Sequence, residues 1–188
     1  MSRLHDDAVA VLTEWSAPTV AQERLRQEYV AHLERHSDGH ERSCHPDHIT
    51  ASTVVLSGDG SAALLTLHAK ARQWFQLGGH LEPTDATLAA AALREATEES
   101  GLTGLELDAR PLQLNTHDVP FCGGRPGTRH LDVRFLAVAP AGAAHAVSAE
   151  SLDVRWWPVE ALPSDEPSLR ELVDLGGDRL RQLGGVVR

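Results

Sequence analysis

Residues 78–102 read GGHLEPTDATLAAAALREATEESGL. The sequence predicts a short strand through residues 74–77 before the paired glycines and an amphipathic helix after them. Apolar side chains recur at helical spacing and are available for a buried face: Leu88, Ala92, Leu93 and Ala96. The helix should begin at a cap supplied by Thr84 or Asp85 and run to about Ser100. Gly101 is typical of the residue that ends a helix in the left-handed conformation.

Three carboxylates fall near the end of this helix, where helix electrostatics disfavours them. Glu95 lies three and four residues before Glu98 and Glu99, so these side chains are neighbours on adjacent turns. The C-terminal end of the helix dipole favours cations by about 0.3–1 kcal/mol each, and Arg94 supplies only one positive charge there. A solvated acidic face is the common meaning of such a charge run. A hard divalent cation that takes oxygen ligands is the alternative, and the surrounding motif favours it.

The motif around the glutamates resembles the Nudix box of pyrophosphohydrolases, GG-x-x-E followed by R-E-x-x-E-E-x-G-L. The matching residues stand in the family's order: Gly78, Gly79, Glu82, Arg94, Glu95, Glu98, Glu99, Gly101 and Leu102. The resemblance extends over about residues 48–162, because the hairpin before the motif and the segment VRWWPVEALP are also similar to parts of a Nudix domain.

The sequence departs from the family pattern at one point. Gly79 and Arg94 lie one residue further apart than usual, and Asp85 or Ala86 stands where the family has a glutamate. The loop before the helix can absorb the extra residue without disturbing the glutamates. We therefore expect the activity to be kept and give the middle position no chemical role.

The resemblance implies a catalytic centre that uses Mg²⁺ or Mn²⁺. The implied metal ligands are Gly79, through its backbone carbonyl, Glu95, Glu98 and Glu99. The implied catalytic residues are Arg94, Glu95 and Glu98: Arg94 would fix the glutamates, and Glu95 would be a ligand or would act as, or orient, the base. Ligands from outside the motif are also common in the family, and Asp132 and Asp153 are candidates that could equally be plain surface carboxylates.

The implied reaction is hydrolysis of a pyrophosphate linkage in a nucleoside diphosphate derivative. Three side chains are candidates for contact with this small-molecule substrate: Trp74, His80 and His117. The derivative itself stays open. The NADH and coenzyme A signatures are not visible, the absence of a tyrosine after Leu102 counts against dinucleoside polyphosphates, and Pro120 is near but not at the position associated with ADP-ribose hydrolysis.

Two other functions of the same fold compete with this hypothesis. A non-catalytic Nudix-fold module would bind a nucleotide as a regulatory signal, but such modules usually lose the glutamates of the motif. An isomerase of an isoprenoid diphosphate would need a cysteine and a glutamate across the substrate, and Cys122 has no evident partner motif.

The wider pattern predicts an α/β fold, a Nudix-like α/β/α sandwich with a mixed sheet and an N-terminal helical extension. Residues 1–47 would be N-terminal helices and a connecting loop packed on the domain, and residues 48–188 the Nudix hydrolase domain with a C-terminal helix. A hairpin, further strands and a helical turn are expected at these positions: 49–56 with 62–68, 105–108, 113–117, 131–138, 154–157 and 159–162. The apolar face of the N-terminal helices is also a candidate homodimer contact.

Composition restricts the partners. The 188 residues include 27 acidic and 17 basic side chains, so the formal charge is −10, which excludes a protein that grips nucleic acid through its phosphates. We expect no membrane span and no signal peptide, because apolar runs stay well below about 18 residues and the N-terminus carries Asp6 and Asp7. Cys44 and Cys122 are expected to be free thiols in a cytoplasmic protein.

The segment between the predicted N-terminal helices and the hairpin carries several residue types that can bind zinc. Its candidate ligands are His36, His40, Cys44, His45 and His48. The spacing matches no known zinc finger and only one thiolate is available, so the sequence favours a solvated, histidine-rich linker.

Overall fold

The computed structural model describes residues 2–120, 122, 127–143, 145–146 and 151–184. The helices are α1 (Arg3–Glu14), α2 (Val20–Arg35), α3 (Leu88–Ser100) and α4 (Pro167–Gln182). The strands are β1 (Asp47–Leu56), β2 (Ala62–His68), β3 (Trp74–Phe75), β4 (Leu77–His80), β5 (Glu106–Asp118), β6 (Arg129–Val138) and β7 (Ser151–Pro158). Within the described residues, no helix combines the length and the apolar character that crossing a membrane requires.

The strands form one mixed sheet, as predicted. The central order is β3-β2-β1-β6-β5, with β4 paired to β1 and β7 paired to β2. β1 and β6 run parallel in an unbroken register that places His48 beside His130, whereas the other pairs are antiparallel. The antiparallel β1–β4 pair places Thr50 opposite His80.

Helices cover both faces of the sheet. Ile49 and Ala51 of β1 belong to a buried cluster shared with α1, α2 and α3, whereas Val54 and Leu56 belong to a cluster shared with α4. Alternate residues of a strand point to opposite faces, and the apolar sequence of β1 therefore fills both layers. The predicted α/β/α sandwich with an N-terminal helical region is confirmed.

The central helix α3 begins later than the sequence suggested. Its N-cap is Thr87, whose hydroxyl accepts from the Ala90 N–H at 3.0 Å, and not Thr84 or Asp85. The N–H of Leu88, the first residue of the helix, donates to the Asp7 carboxylate at 2.8 Å. The helix ends as predicted at Gly101, which has φ = 67°.

Three smaller predictions were wrong. The paired glycines lie inside β4 and do not follow a strand. The strands expected at 105–108 and 113–117 are one strand, β5, whose register shifts between Asp108 and Gln113; this interval contains Pro111, which cannot donate to the ladder. Residues 159–162 form a turn without a helix.

The N-terminal helices share the core of the sheet and close its β5 edge. Tyr29 of α2 and Leu12 of α1 are fully buried in the cluster that includes α3. Gln22 bonds both backbone groups of Leu114, donating to its carbonyl at 2.9 Å and accepting from its N–H at 2.7 Å. Trp15 donates to the Pro111 carbonyl at 2.8 Å. These contacts satisfy the backbone of a strand that would otherwise be an open edge.

Candidate active site

The two glycines of β4 bring the backbone directly against the carboxylates of α3. The Gly78 N–H donates to Glu99 Oε2 at 2.9 Å. A Cβ on Gly79 would lie 2.8 Å from Glu95 Oε2, and one on Gly78, which has φ = 152°, would lie 2.3 Å from the Cβ of Ser52. Gly78 has no room for a side chain, because the backbone of β1 lies there, whereas a Cβ on Gly79 would displace the Glu95 carboxylate.

Arg94 organises the charges around these glycines. Its guanidinium donates to Glu95 Oε1 and Glu98 Oε2, each at 3.0 Å, and to the His80 carbonyl at 2.9 Å. It also makes a bidentate pair with Asp85, with both N–O distances at 3.0 Å. The hydrogen bonds with Asp85 are the largest cause that raises the pKa of Arg94, so the guanidinium remains charged. Arg94 thus links Glu95 to Glu98, and its role in fixing the glutamates stays a prediction.

Asp85 is a site residue that the sequence analysis missed. The side chain is buried, and Oδ2 accepts from the Glu82 N–H at 2.8 Å as well as from Arg94. The carboxylate therefore ties the loop before α3 to the guanidinium that holds the glutamates. The sequence did contain a signal for this residue, because Asp85 stands where the family has a glutamate. An aspartate is also acidic and can pair with an arginine.

The chemistry of the donor set fits a hard divalent cation. Glu95, Glu98 and Glu99 lie in the last two turns of α3, at the negative end of its dipole, and the last turn has no basic residue. The Glu95 side chain is 16% exposed to solvent, and the Glu98 side chain is 59% exposed. Oxygen ligands that differ in exposure suit an ion that keeps some of its water. The structure places Glu95 against Gly79 and Glu99 against Gly78, whereas Glu98 is joined to Glu95 through Arg94. Their role as metal ligands stays a prediction.

The three candidate substrate contacts do not share one environment. Trp74 packs edge to face on Trp157 with the ring centres 5.3 Å apart, in the layer covered by α4. His80 and His117 instead both lie beside His130, at centroid distances of 4.9 and 5.4 Å. Their contact with a substrate stays a prediction.

The two carboxylates considered outside the motif have protein partners. Asp132 is buried and accepts from Thr50 at 3.0 Å, Ser52 at 2.7 Å and Arg134 at 2.9 Å. Although burial alone would raise the pKa of Asp132, the Arg134 charge and these hydrogen bonds hold it below its usual value. Asp153 pairs with Arg155 at 2.8 Å. These contacts favour structural roles for both.

A second group of side chains with metal-binding atoms lies on the face of the sheet that points away from α3. This histidine–cysteine cluster consists of His48, His80, Cys122 and His130, whose ligand atoms all lie within 4.8 Å of one another. Burial is the main cause that lowers the pKa of His80 to about 4 and that of His130 to about 3, so both rings are neutral near pH 7. Sequence spacing could not reveal the cluster, because it depends on the register of β1, β4 and β6.

The histidine-rich segment considered for zinc is divided between several environments. His40 bonds the Ser2 hydroxyl at 2.9 Å, and His48 lies in β1. His36 and Cys44 lie close to Asp38 in a second, more exposed group of ligand atoms. The five residues thus do not form one site.

Residues 46–175 match the NUDIX domain family. Solved structures with similar folds include a NUDIX-family hydrolase from Clostridium perfringens, which is 22% identical, covers 72% of this chain and 97% of its own, and has a TM-score of 0.55. An Ap4A hydrolase from C. elegans is 19% identical over 71% and 98% of the chains, with a TM-score of 0.61. The E. coli dihydroneopterin triphosphate pyrophosphohydrolase is 19% identical over 70% and 95%, with a TM-score of 0.54. A search of curated proteins found no significant match.

Proposed function

Since the chain belongs to the NUDIX family of hydrolases, which act on acid anhydrides, we propose that it hydrolyses a pyrophosphate linkage in a nucleoside diphosphate derivative with the help of a divalent metal. One observation carries this proposal. Glu95 and Glu98 share the Arg94 guanidinium on the last two turns of α3. Glu95 also lies against Gly79, and Glu99 accepts from the Gly78 N–H. This arrangement places several negative charges together where an anionic substrate could be bound only through a cation.

Mg²⁺ or Mn²⁺ would be held by Glu95, Glu98, Glu99 and the Gly79 carbonyl. A bound ion of this kind polarises phosphoryl oxygens, lowers the pKa of a bound water and stabilises the leaving phosphate. The protein's net charge of −10 then does not prevent binding of an anion, because the attraction is local.

The side chains have separate tasks in this reaction. Arg94 and the Gly78 N–H keep the carboxylates in place before substrate arrives, so little reorganisation is needed. Glu95 or Glu98 accepts, or orients the group that accepts, the proton of the attacking water. As the water oxygen bonds to phosphorus, the bridging P–O bond breaks and its electron pair leaves with the departing phosphate.

The test is a phosphate-release screen over nucleotide substrates, with Mg²⁺ and with Mn²⁺, on the natural protein and on Glu98→Gln. We expect turnover that requires the added metal and that falls by about 100-fold or more in the variant, because the substitution removes a charge at the ion. Glu34→Gln is the matched control, since Glu34 is an exposed residue of α2 and makes the same change of charge elsewhere.

Two results would contradict the proposal. If Glu98→Gln turned over at the natural rate, Glu98 would not be a residue of the catalytic site. An absence of turnover for every diphosphate, with tight nucleotide binding intact, would instead identify a non-catalytic nucleotide-binding module.

A further inference from the structure

We propose that the histidine–cysteine cluster is a structural zinc site. Its four donors, three imidazoles and one thiol, are the soft and borderline ligands that zinc prefers over Mg²⁺. Four protein ligands complete a tetrahedral shell and leave no position for substrate, which is typical of structural sites. In this site His80 would bind zinc and would not be the substrate contact that the sequence predicts.

The distances between the donor atoms agree with a tetrahedral shell. Zn–N bonds of about 2.0–2.1 Å and a Zn–S bond of about 2.3 Å at tetrahedral angles separate sulfur from nitrogen by about 3.6 Å. Cys122 Sγ lies 3.3 Å from His80 Nε2 and 3.8 Å from His48 Nε2. The observed distances lie on either side of the ideal one, so an ion could enter with shifts of a few tenths of an ångström.

A backbone hydrogen bond prepares the His48 imidazole as a ligand. His48 Nδ1 contacts the Cys44 carbonyl at 3.2 Å, and because a carbonyl can only accept, this nitrogen carries the proton. His48 Nε2 therefore presents its lone pair toward Cys122. Fixing a ligand's tautomer through its other nitrogen is the usual arrangement around protein-bound zinc.

One buried nitrogen in the cluster needs a partner. Within the described residues, His130 Nε2 is buried without a hydrogen bond. A buried polar atom without a partner is rare in folded proteins and calls for an explanation such as a bound ion. Zinc would satisfy this atom, while the thiol of Cys122 would release its proton to solvent and bind as the thiolate.

The proposed site would join parts of the chain that are far apart in sequence. His48, His80 and His130 lie on three adjacent strands, and Cys122 lies between β5 and β6. The backbone carbonyl of His80 also accepts from Arg94 at 2.9 Å. Zinc would therefore fix the end of β4 from which the loop to the glutamate-bearing helix departs.

The first test is metal analysis of the full chain, purified without a histidine tag and dialysed against metal-free buffer. We expect close to one zinc ion per chain, which X-ray absorption should show bound to one sulfur at about 2.3 Å and three nitrogens at about 2.0–2.1 Å. A protein without bound zinc, or zinc with no sulfur ligand, would overturn the proposal. This measurement does not depend on whether any variant folds.

Variants then decide which cysteine is used. Cys122→Ser should weaken zinc binding, measured by competition with a chromophoric chelator, by more than the about 10- to 100-fold that follows from losing a residue that only orients a ligand. Cys44→Ser is the matched control: Cys44 is also a buried free cysteine, but it contributes only its backbone carbonyl to the proposed site. Zinc lost from Cys44→Ser and kept by Cys122→Ser would assign the metal to the group around His36 and Asp38 instead.

The zinc site and the hydrolase site can fail separately. Glu98→Gln removes a carboxylate on the opposite side of β4 from the cluster, so it should keep its zinc while losing turnover. A Glu98→Gln protein that loses zinc would show that both observations report one metal site and would overturn the proposal of a second.

Discussion

Asp85 contacts Arg94, which in turn contacts the glutamates. Removing the charge of Asp85 tests whether it orients the guanidinium. Its two oxygens bind one edge of the guanidinium, while the remaining amino group reaches Glu95 and Glu98. Asp85→Asn keeps the shape and removes the charge, so the guanidinium should lose its orientation. We expect kcat/KM with Mg²⁺ to fall about 10- to 100-fold and the half-saturating Mg²⁺ concentration to rise.

Asp59→Asn is the control for this prediction. Asp59 lies exposed in the turn between β1 and β2, where its carboxylate accepts from the nearby Ser57 and Ser61. Its kinetics and Mg²⁺ dependence should match those of the natural protein. If Asp85→Asn also retains natural kinetics, Arg94 is positioned by its other partners and the assignment of Asp85 is wrong.

At the scale of elements, the adjacent glycines of α4 should respond oppositely to the same substitution. A Cβ on Gly177 would meet only the flexible end of Arg181, at 3.5 Å. Gly177→Ala should therefore raise the free energy of unfolding by about 0.5–1 kcal/mol, since alanine is the better helix former. A Cβ on Gly176 would lie 3.1 Å from Val54 Cγ1 in the packed layer beneath the helix. Gly176→Ala should cost about 1–3 kcal/mol of packing strain, which exceeds that gain and lowers the free energy of unfolding.

Denaturant unfolding of the two variants measures this difference, and both should keep their catalytic activity because α4 lies on the far side of the sheet from α3. Equal stabilisation by the two alanines would mean that α4 moves away from β1 without cost. That result would contradict the close packing of the helix on Val54.

The helices and strands also differ in how well the sequence predicted them. The glutamates of α3 were predictable because all three lie on one helix, whose spacing and end residue are local properties. The start of α3 was not, because its cap is completed by Asp7, 81 residues earlier in the chain. The histidine–cysteine cluster was equally hidden, since only strand register brings His48 beside His130. What depends on one helix could be predicted, and what depends on pairing distant segments could not.

At the scale of the whole molecule, α1 and α2 should unfold together with the sheet, although they lie before the family match at residues 46–175. Leu12 is fully buried in a cluster that joins α1 to α3 and β1. Leu12→Ala would leave a cavity there and should lower the global free energy of unfolding by about 2–5 kcal/mol in a single transition. Val20→Ala, at a position 73% exposed, should change it by less than about 0.5 kcal/mol.

Calorimetry and denaturant unfolding followed by two probes distinguish the outcomes of Leu12→Ala. A helical appendage with its own stability would give an additional early transition and leave the main one unchanged. If the helices are coupled to the sheet through the shared core, one unfolding transition shifts to lower temperature and lower denaturant concentration. We expect this result because Asp7, Trp15 and Gln22 anchor both helices to α3 and β5. Since the same helix α3 carries the glutamates, the N-terminal region should then also protect activity on heating, so that Leu12→Ala loses turnover at a lower temperature than Val20→Ala.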